Sequence, residues 1–131
     1  MVYIDDYAHH PSELNAAIDA AKTLFPERKI TGVFQPHLYS RTRDFVNGFA
    51  SALDLLDEVI LMDIYPAREE PIAGVSAAII FEKMKNPNKV LISKKQLLQV
   101  LDNKEIDVLL TMGAGDIDTF IEPIKEKIAH G

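Results

Sequence analysis

Three of the chain's four histidines, His9, His10 and His37, fall in its first third, and Arg41 and Arg43 follow closely after His37. A neutral imidazole can accept a proton or orient the group that carries one. A guanidinium can grip an anion through two parallel hydrogen bonds. Both arginines lie where a helix should begin, an unfavourable place for a cation in the field of the helix. Two of them there point to an anionic ligand or to partner carboxylates. Acidic residues accompany them: Asp5 and Asp6 precede His9, and Asp116 follows Gly113 and Gly115. Each feature also has a plainer reading. Asp5, Asp6, His9 and His10 can serve a turn and a helix cap, the arginines can be solvated, and the glycines can make a tight turn.

Their placement favours a site. Apolar runs alternate with helical patterns five times. Strands are predicted at 2–4, 29–35, 59–62, 90–92 and 106–111. Helices are predicted from Pro11 through Phe25, from near Arg41 through Leu56, at 75–84, at 95–101 and at 116–128. Leu14, Ala17, Ile18, Ala21, Leu24 and Phe25 follow the spacing of a helix packed on one face, as do Phe45, Phe49, Ala52, Leu53 and Leu56. Pro123 predicts a kink or restart in the last helix. Such alternation implies an α/β fold: a parallel sheet with helices on both faces and right-handed crossovers. Ligands of such sheets bind beyond the carboxyl ends of the strands. The candidate residues all fall there, in the loops after the first, second and fifth strands, and the third strand ends in a comparable polar loop over 63–71.

Composition narrows the function. The 131 residues fit one domain, expected over 2–131, with 47% hydrophobic and 26% charged residues. The absence of cysteine excludes disulfides, thiolate metal sites and a cysteine nucleophile, and fits a reducing compartment. A net charge of −6 argues against nucleic-acid and anionic-membrane partners. No apolar run spans a bilayer, and the first residues lack the pattern of a signal peptide. Entry into a core strand without a lead-in is what a domain cut from a longer protein would show. No Walker-type phosphate loop, nucleophile elbow or zinc-helix pair is present, and no metal site is expected. As neighbours, His9 and His10 should point apart on any regular element. An acidic pair after the first strand and Asp63 after the third imitate a phosphoacceptor receiver domain, but that reading needs a lysine after the fifth strand, where Thr111-Met112-Gly113-Ala114 stands. A non-catalytic nucleotide- or partner-binding module is the other alternative.

Three segments carry a resemblance. Asp-Asp-Tyr-Ala-His-His-Pro (5–11), Phe-Gln-Pro-His-Leu-Tyr-Ser-Arg-Thr-Arg-Asp-Phe (34–45) and Asp-Ile-Tyr-Pro-Ala-Arg-Glu-Glu-Pro-Ile (63–72) resemble the C-terminal domain of the Mur ligases. Gly-Ala-Gly-Asp (113–116) fits the same order, and the second segment is specific to the alanine-adding branch. The resemblance implies a Rossmann-like, three-layer αβα domain with a mostly parallel sheet of five to six strands. It implies a cytoplasmic, ATP- and Mg2+-dependent ligase of peptidoglycan precursor synthesis, which joins L-alanine to UDP-N-acetylmuramate through an acyl phosphate. ATP, magnesium and the UDP-sugar would be handled by domains this chain lacks, leaving the chain inactive alone and without a tightly bound cofactor. Carried over position by position, Arg41, His9, His37 and Tyr7 would bind L-alanine, with His9 and His37 catalytic. Asp6 and Tyr7 would face the nucleotide on domain closure, and Arg43, Gly113, Gly115 and Asp116 would form the rim. Some members have a second arginine where this chain has Leu38, so Arg41 would hold the carboxylate alone or share it with Arg43 or a histidine.

Overall fold

A computed structural model of the chain describes residues 1–130. Five parallel strands form one sheet: β1 (Val2–Asp6), β2 (Ile30–Phe34), β3 (Glu58–Met62), β4 (Lys89–Ile92) and β5 (Val108–Met112), in the order β1-β5-β2-β3-β4. No sixth or antiparallel strand joins it among the described residues. The helices are α1 (Pro11–Leu24), α2 (Tyr39–Asp44), α3 (Val46–Leu53), α4 (Ala77–Lys83), α5 (Leu97–Asp102) and α6 (Ile121–His130). None is long and apolar enough to cross a membrane.

Burial explains the order. Every residue of β2 and β5 is buried, as their near-continuous apolar sequences require of strands covered on both faces. The less apolar β1 and β4 take the edges, and Asp5 and Asp6 lie inside β1 rather than after it. Leu14 and Ile18 of α1, Phe49 and Leu53 of α3 and Ile80 of α4 pack with Phe34, Leu61 and Leu110 on one face. Leu97 and Leu101 of α5 and Ile117 and Ile124 pack with Val33, Ile60 and Leu109 on the other. Fully burying one such side chain stabilises by about 1.5–3 kcal/mol. The connections through β4 all run one way along the sheet. The step from β4 back to β5 reverses direction, so a right-handed crossover must place α5 on the opposite face. The chain after β1 and β2 thus leaves toward one face and the chain after β5 toward the other, which opens a crevice at their carboxyl ends.

The structure departs from the sequence expectations at several points. The helix expected from near Arg41 through Leu56 is two helices, broken at Phe45 (φ −122°, ψ 25°). Phe45 and Leu24, expected in the apolar faces, are 44% and 68% exposed. The last helix restarts as anticipated: a 3-10 segment over Asp116–Phe120 precedes α6, and Pro123 falls in the first turn of α6, where a missing N–H costs nothing.

Candidate functional site

The loop after β1 is a tight turn held by its own side chains. Asp6 Oδ1 accepts from the Ala8 N–H at 2.9 Å, and Glu13 Oε1 accepts from the N–H groups of His9 (3.0 Å) and His10 (3.1 Å), capping α1 ahead of Pro11. Tyr7 is left 65% exposed on the rim, its hydroxyl donating to the Ala114 carbonyl at 3.4 Å. His9 Nδ1 lies 2.9 Å from the Tyr7 carbonyl oxygen and 3.4 Å from Glu13 Oε1. Both neighbours can only accept, so in the neutral ring Nδ1 carries the proton and Nε2 keeps its lone pair.

The loops after β2 and β3 are bound to each other. His37 and Tyr65 form a parallel bridge, with the Leu38 N–H donating to the Tyr65 carbonyl (2.9 Å) and the Tyr65 N–H to the Pro36 carbonyl (2.8 Å). Leu38 turns the chain into α2 with φ 74° and ψ 139°, a strained backbone for a residue with a side chain. Thr42, fully buried, holds that turn by donating its hydroxyl to the Leu38 carbonyl at 2.8 Å. Glu69, from the loop after β3, accepts from both the N–H of Ser40 (3.1 Å) and the Ser40 hydroxyl.

These turns assemble a chain of rings. Centroid separations are 5.7 Å for Phe45–His10, 5.4 Å for His10–His9, 6.1 Å for His9–His37 and 5.6 Å for His37–Tyr65, and Tyr7 meets His9 edge-on at 5.8 Å. His9 and His10 do not point apart. They sit in a turn and its cap, where alternation does not apply. Gly48 permits the approach of Phe45 to His10: a Cβ there would lie 3.0 Å from the Pro11 ring, so α3 closes directly on the start of α1.

His37 Nδ1 is buried and has no hydrogen-bond partner among the described residues, an uncommon state for a ring nitrogen. Burial pushes the pKa of His37 down, the nearby Arg41 cation and His9 push it further, and Glu69 opposes them. His37 is therefore neutral at pH 7. Arg41, half-buried beside it, makes none of the ion pairs among the described residues, whereas Arg43 is engaged by Asp44 at 2.8 Å.

The loop after β5 closes the crevice from the other side. Gly113 has φ 147°, and a Cβ at Gly115 would come within 2.6 Å of Tyr65 Cγ and of Gln35 Oε1. Gln35, buried at the end of β2, accepts from the Ile117 N–H at 2.9 Å and donates to Asp116, whose other oxygen meets Lys94 Nζ at 2.6 Å. Those hydrogen bonds hold the Asp116 carboxyl below its ordinary range against the opposing effect of burial. Asp116 thus faces a separate cleft of about 510 Å³ beside Lys94, Ser93 and Asp63, with Tyr65 and Gln35 in its wall. A further concavity of about 550 Å³ lies at the amino ends of the strands, but its charges serve the fold: Asp57 accepts from the Ile30 N–H at 2.8 Å and Arg28 pairs with Asp107. Among the described residues no group of three or more His, Cys, Asp or Glu side chains converges as a metal ion would need.

The site thus joins His9, His37, Arg41 and Tyr7, leaves Arg43 and Asp116 engaged elsewhere, and gives Gly113 and Gly115 a packing role. Sequence reasoning assigned no site role to Tyr65, Glu69, Gln35 or Glu13, and placed Phe45 on the packed face of a helix rather than in the site. Only membership of the quoted segments 34–45 and 63–72 flagged four of them.

Residues 1–115 match the family model of the Mur ligase, glutamate ligase domain. The chain is 58% identical over 126 residues to the UDP-N-acetylmuramate–L-alanine ligase of Parabacteroides distasonis, covering 96% of this chain and 27% of that protein. It is 54% identical over 127 residues to the ligase of the same name from Porphyromonas gingivalis, covering 96% and 28%. With that of Flavobacterium johnsoniae it is 50% identical over 128 residues, covering 98% and 28%. The chain therefore spans little more than a quarter of the length of these curated relatives. Two solved structures share its fold. A murein peptide ligase of Psychrobacter arcticus superposes with a TM-score of 0.73 at 18% identity, over 95% of this chain and 26% of that one. A domain of a UDP-N-acetylmuramate:L-alanyl-γ-D-glutamyl-diaminopimelate ligase of Haemophilus ducreyi superposes with a TM-score of 0.63 at 20% identity, over 93% and 86%. With its sheet, its crevice and the family match over most of its length, the chain belongs to the Mur ligase family, as the C-terminal, glutamate ligase domain.

Proposed function

We propose that this chain is the amino-acid side of an ATP-dependent ligase that joins L-alanine to the carboxylate of UDP-N-acetylmuramate in cytoplasmic peptidoglycan precursor synthesis. One observation carries the reading: Arg41, in no ion pair among the described residues, stands beside His37, whose Nδ1 is buried and unsatisfied and whose ring centroid lies 6.1 Å from that of His9. L-Alanine brings a carboxylate and an ammonium group, and these residues complement both.

Arg41 grips the alanine carboxylate bidentately. The ammonium must lose a proton before its nitrogen can attack a carbonyl. His9 suits that task, because the Tyr7 carbonyl and Glu13 hold its Nδ1 proton and leave the Nε2 lone pair available. His37 is held neutral by burial and by Arg41, so it orients the amine rather than taking its proton. Attack of the freed amine on the acyl phosphate forms the C–N bond and breaks the bond from the carbonyl carbon to the phosphate oxygen; the first ammonium proton rests on His9, and the second N–H proton leaves with the phosphate. Holding the amine in line supplies much of the rate.

The residues of this chain do not fit a triphosphate or its magnesium. The only Gly-x-Gly loop is packed against Tyr65 and Gln35, with no room for a phosphate at Gly115. The exposed Tyr7, with Asp6, can meet only the base and ribose of a nucleotide carried by another part of the protein. In the complete ligase, Arg41→Ala raises the KM for L-alanine at least about tenfold, the loss of a charged hydrogen-bonded pair, with the KM for ATP little changed. An unchanged alanine KM would remove Arg41 from the site. Calorimetry of the chain alone should show no micromolar ATP binding, and finding such binding would contradict the division of labour.

A further inference from the structure

Glu69 lies in a segment, 63–72, to which the proposed chemistry gives no task. Its geometry assigns one. The side chain of Arg41 has no partner of its own among the described ion pairs, so its position is inherited from the backbone of α2. That helix is short and begins badly. It has six residues, and its cap is Leu38, which has no side-chain acceptor and sits at φ 74°. Glu69, twenty-nine positions along the chain from Ser40, supplies what Leu38 cannot: one carboxylate oxygen takes the Ser40 N–H at 3.1 Å and the other takes the Ser40 hydroxyl. The same loop is anchored two residues before α2 by the His37–Tyr65 bridge. Two attachments, on either side of Leu38, therefore fix the direction in which α2 leaves the sheet.

A carboxylate bound to Ser40, the residue before Arg41, could instead pair with that arginine and compete with a substrate carboxylate. Glu69 does not act so. Its oxygens are occupied by Ser40, and no Glu69–Arg41 bridge forms among the described residues. The Ser40 hydroxyl first, and then the Ser40 amide, hold the Glu69 carboxyl below its ordinary range, so it stays ionised in this role. Arg43, which also faces this carboxylate, is taken by Asp44.

We propose that Glu69 is a positioning residue for the amino-acid site, fixing the first turn of α2 so that Arg41 is aimed at the carboxylate of the amino-acid substrate and is left unpaired to receive it. This rests on the reading of Arg41 given above, and the test separates the two. In the complete ligase, KM and kcat are measured for Glu69→Ala, Arg41→Ala and the double variant. Glu69→Ala is expected to raise the KM for L-alanine about tenfold, the scale of an ångström-level misplacement, with kcat and the KM for ATP within about threefold. In the Arg41→Ala background the same change should add less than about twofold, because the group it positions is gone. Should Glu69→Ala shift both KM values equally, or keep its full effect without Arg41, the positioning role is overturned. If Arg41→Ala raises the alanine KM and Glu69→Ala does not, positioning alone fails. If neither does, the reading of Arg41 fails as well. Where Glu69→Ala does not fold, Ser40→Ala and Glu69→Gln, each keeping part of the contact, carry the same cycle with a smaller expected rise of about threefold. A rise confined to the KM for ATP in those variants overturns the proposal.

Discussion

The contact between Gly115 and Tyr65 is where the fold and the site can be separated most sharply. In Gly115→Ala the new methyl would lie 2.6 Å from Tyr65 Cγ, 2.7 Å from Tyr65 Cβ and 2.6 Å from Gln35 Oε1. Carbon atoms prefer to stand about 3.5–4.0 Å apart, so the overlap with the tyrosine is about 1 Å. Turning the ring about χ2 gives no relief, because that rotation moves neither Cβ nor Cγ, and the 2.7 Å contact at Cβ can be relieved only by the backbone. That backbone is fixed by the bonds between Tyr65 and the residues on either side of His37, at 2.8 and 2.9 Å. Either the loop after β5 retreats, straining the Gln35–Ile117 bond, or Tyr65 moves and carries His37 with it. Overpacking of this kind costs about 1–3 kcal/mol. For a chain of this size that is a fall of roughly 5–15 °C in Tm. The assay is thermal unfolding of the chain by circular dichroism, paired with NMR of the His37 ring. Gly74→Ala is the control for a glycine without a steric contact: its φ is positive (77°), whereas that of Gly115 is −98°, and its Cβ meets nothing within 4 Å. It should lose only about 1 kcal/mol of stability, to backbone strain, and leave the His37 signals in place. Equal losses for the two variants, or an unmoved His37 in Gly115→Ala with wild-type stability, would refute the reasoning.

Two further outcomes follow from the same network. His37 should titrate below its ordinary value of 6.5. The unfolded chain then binds that proton more readily than the folded one, so this contribution to stability is present above 6.5 and is lost as pH falls toward the folded value. Arg41→Gln should move the NMR midpoint up, and a wild-type midpoint at or above 6.5 would sink the argument. Gln35→Leu leaves the buried Ile117 N–H unpaired and should cost about 1–3 kcal/mol, whereas Lys94→Met breaks a solvent-screened pair and should cost clearly less. Urea unfolding of both variants checks the order, and a larger loss for Lys94→Met would reverse the assignment of which contact closes the β5 loop.

Much of this molecule is legible in its sequence, for identifiable reasons. The β-α alternation, the buried runs of β2 and β5 and the restart at Pro123 are local properties, set by periodicity and by proline chemistry. The sequence rule for ligand position also depends only on strand direction, so it puts His9, His37 and Arg41 at one end of the sheet. The break at Phe45 is different. Phe45, Phe49 and Ala52 have helical spacing, with no glycine or proline at the break. The break arises because α2 is tied to the loop after β3 while α3 is docked on α1, and both constraints are long-range. The same is true of Glu69 and Gln35, whose partners lie 29 and 82 positions away. Nor could spacing show that His9 and His10 share a cluster, since that depends on a turn whose shape is set by Glu13.

The charged and titratable groups of the rim divide by whether the fold already uses them. Asp6, Glu13, Glu69 and Asp116 each have a partner within the chain that holds a loop or a helix end, and Arg43 is paired with its neighbour Asp44. Arg41 and the Nδ1 of His37 have none among the described contacts, although the first is half-buried and the second fully so. Leaving a cation and a buried ring nitrogen unsatisfied is unfavourable for the folded chain alone. A ligand with an anion and a polar hydrogen-bonding group removes both penalties at once. Because the paired groups surround the unpaired ones and fix the backbone that bears them, the recognising side chains need no internal bonds to hold their places. On the proposed reading, a single arginine can serve where Leu38 offers no second cation, because Glu69, through Ser40, would set its direction and its charge would not be shared.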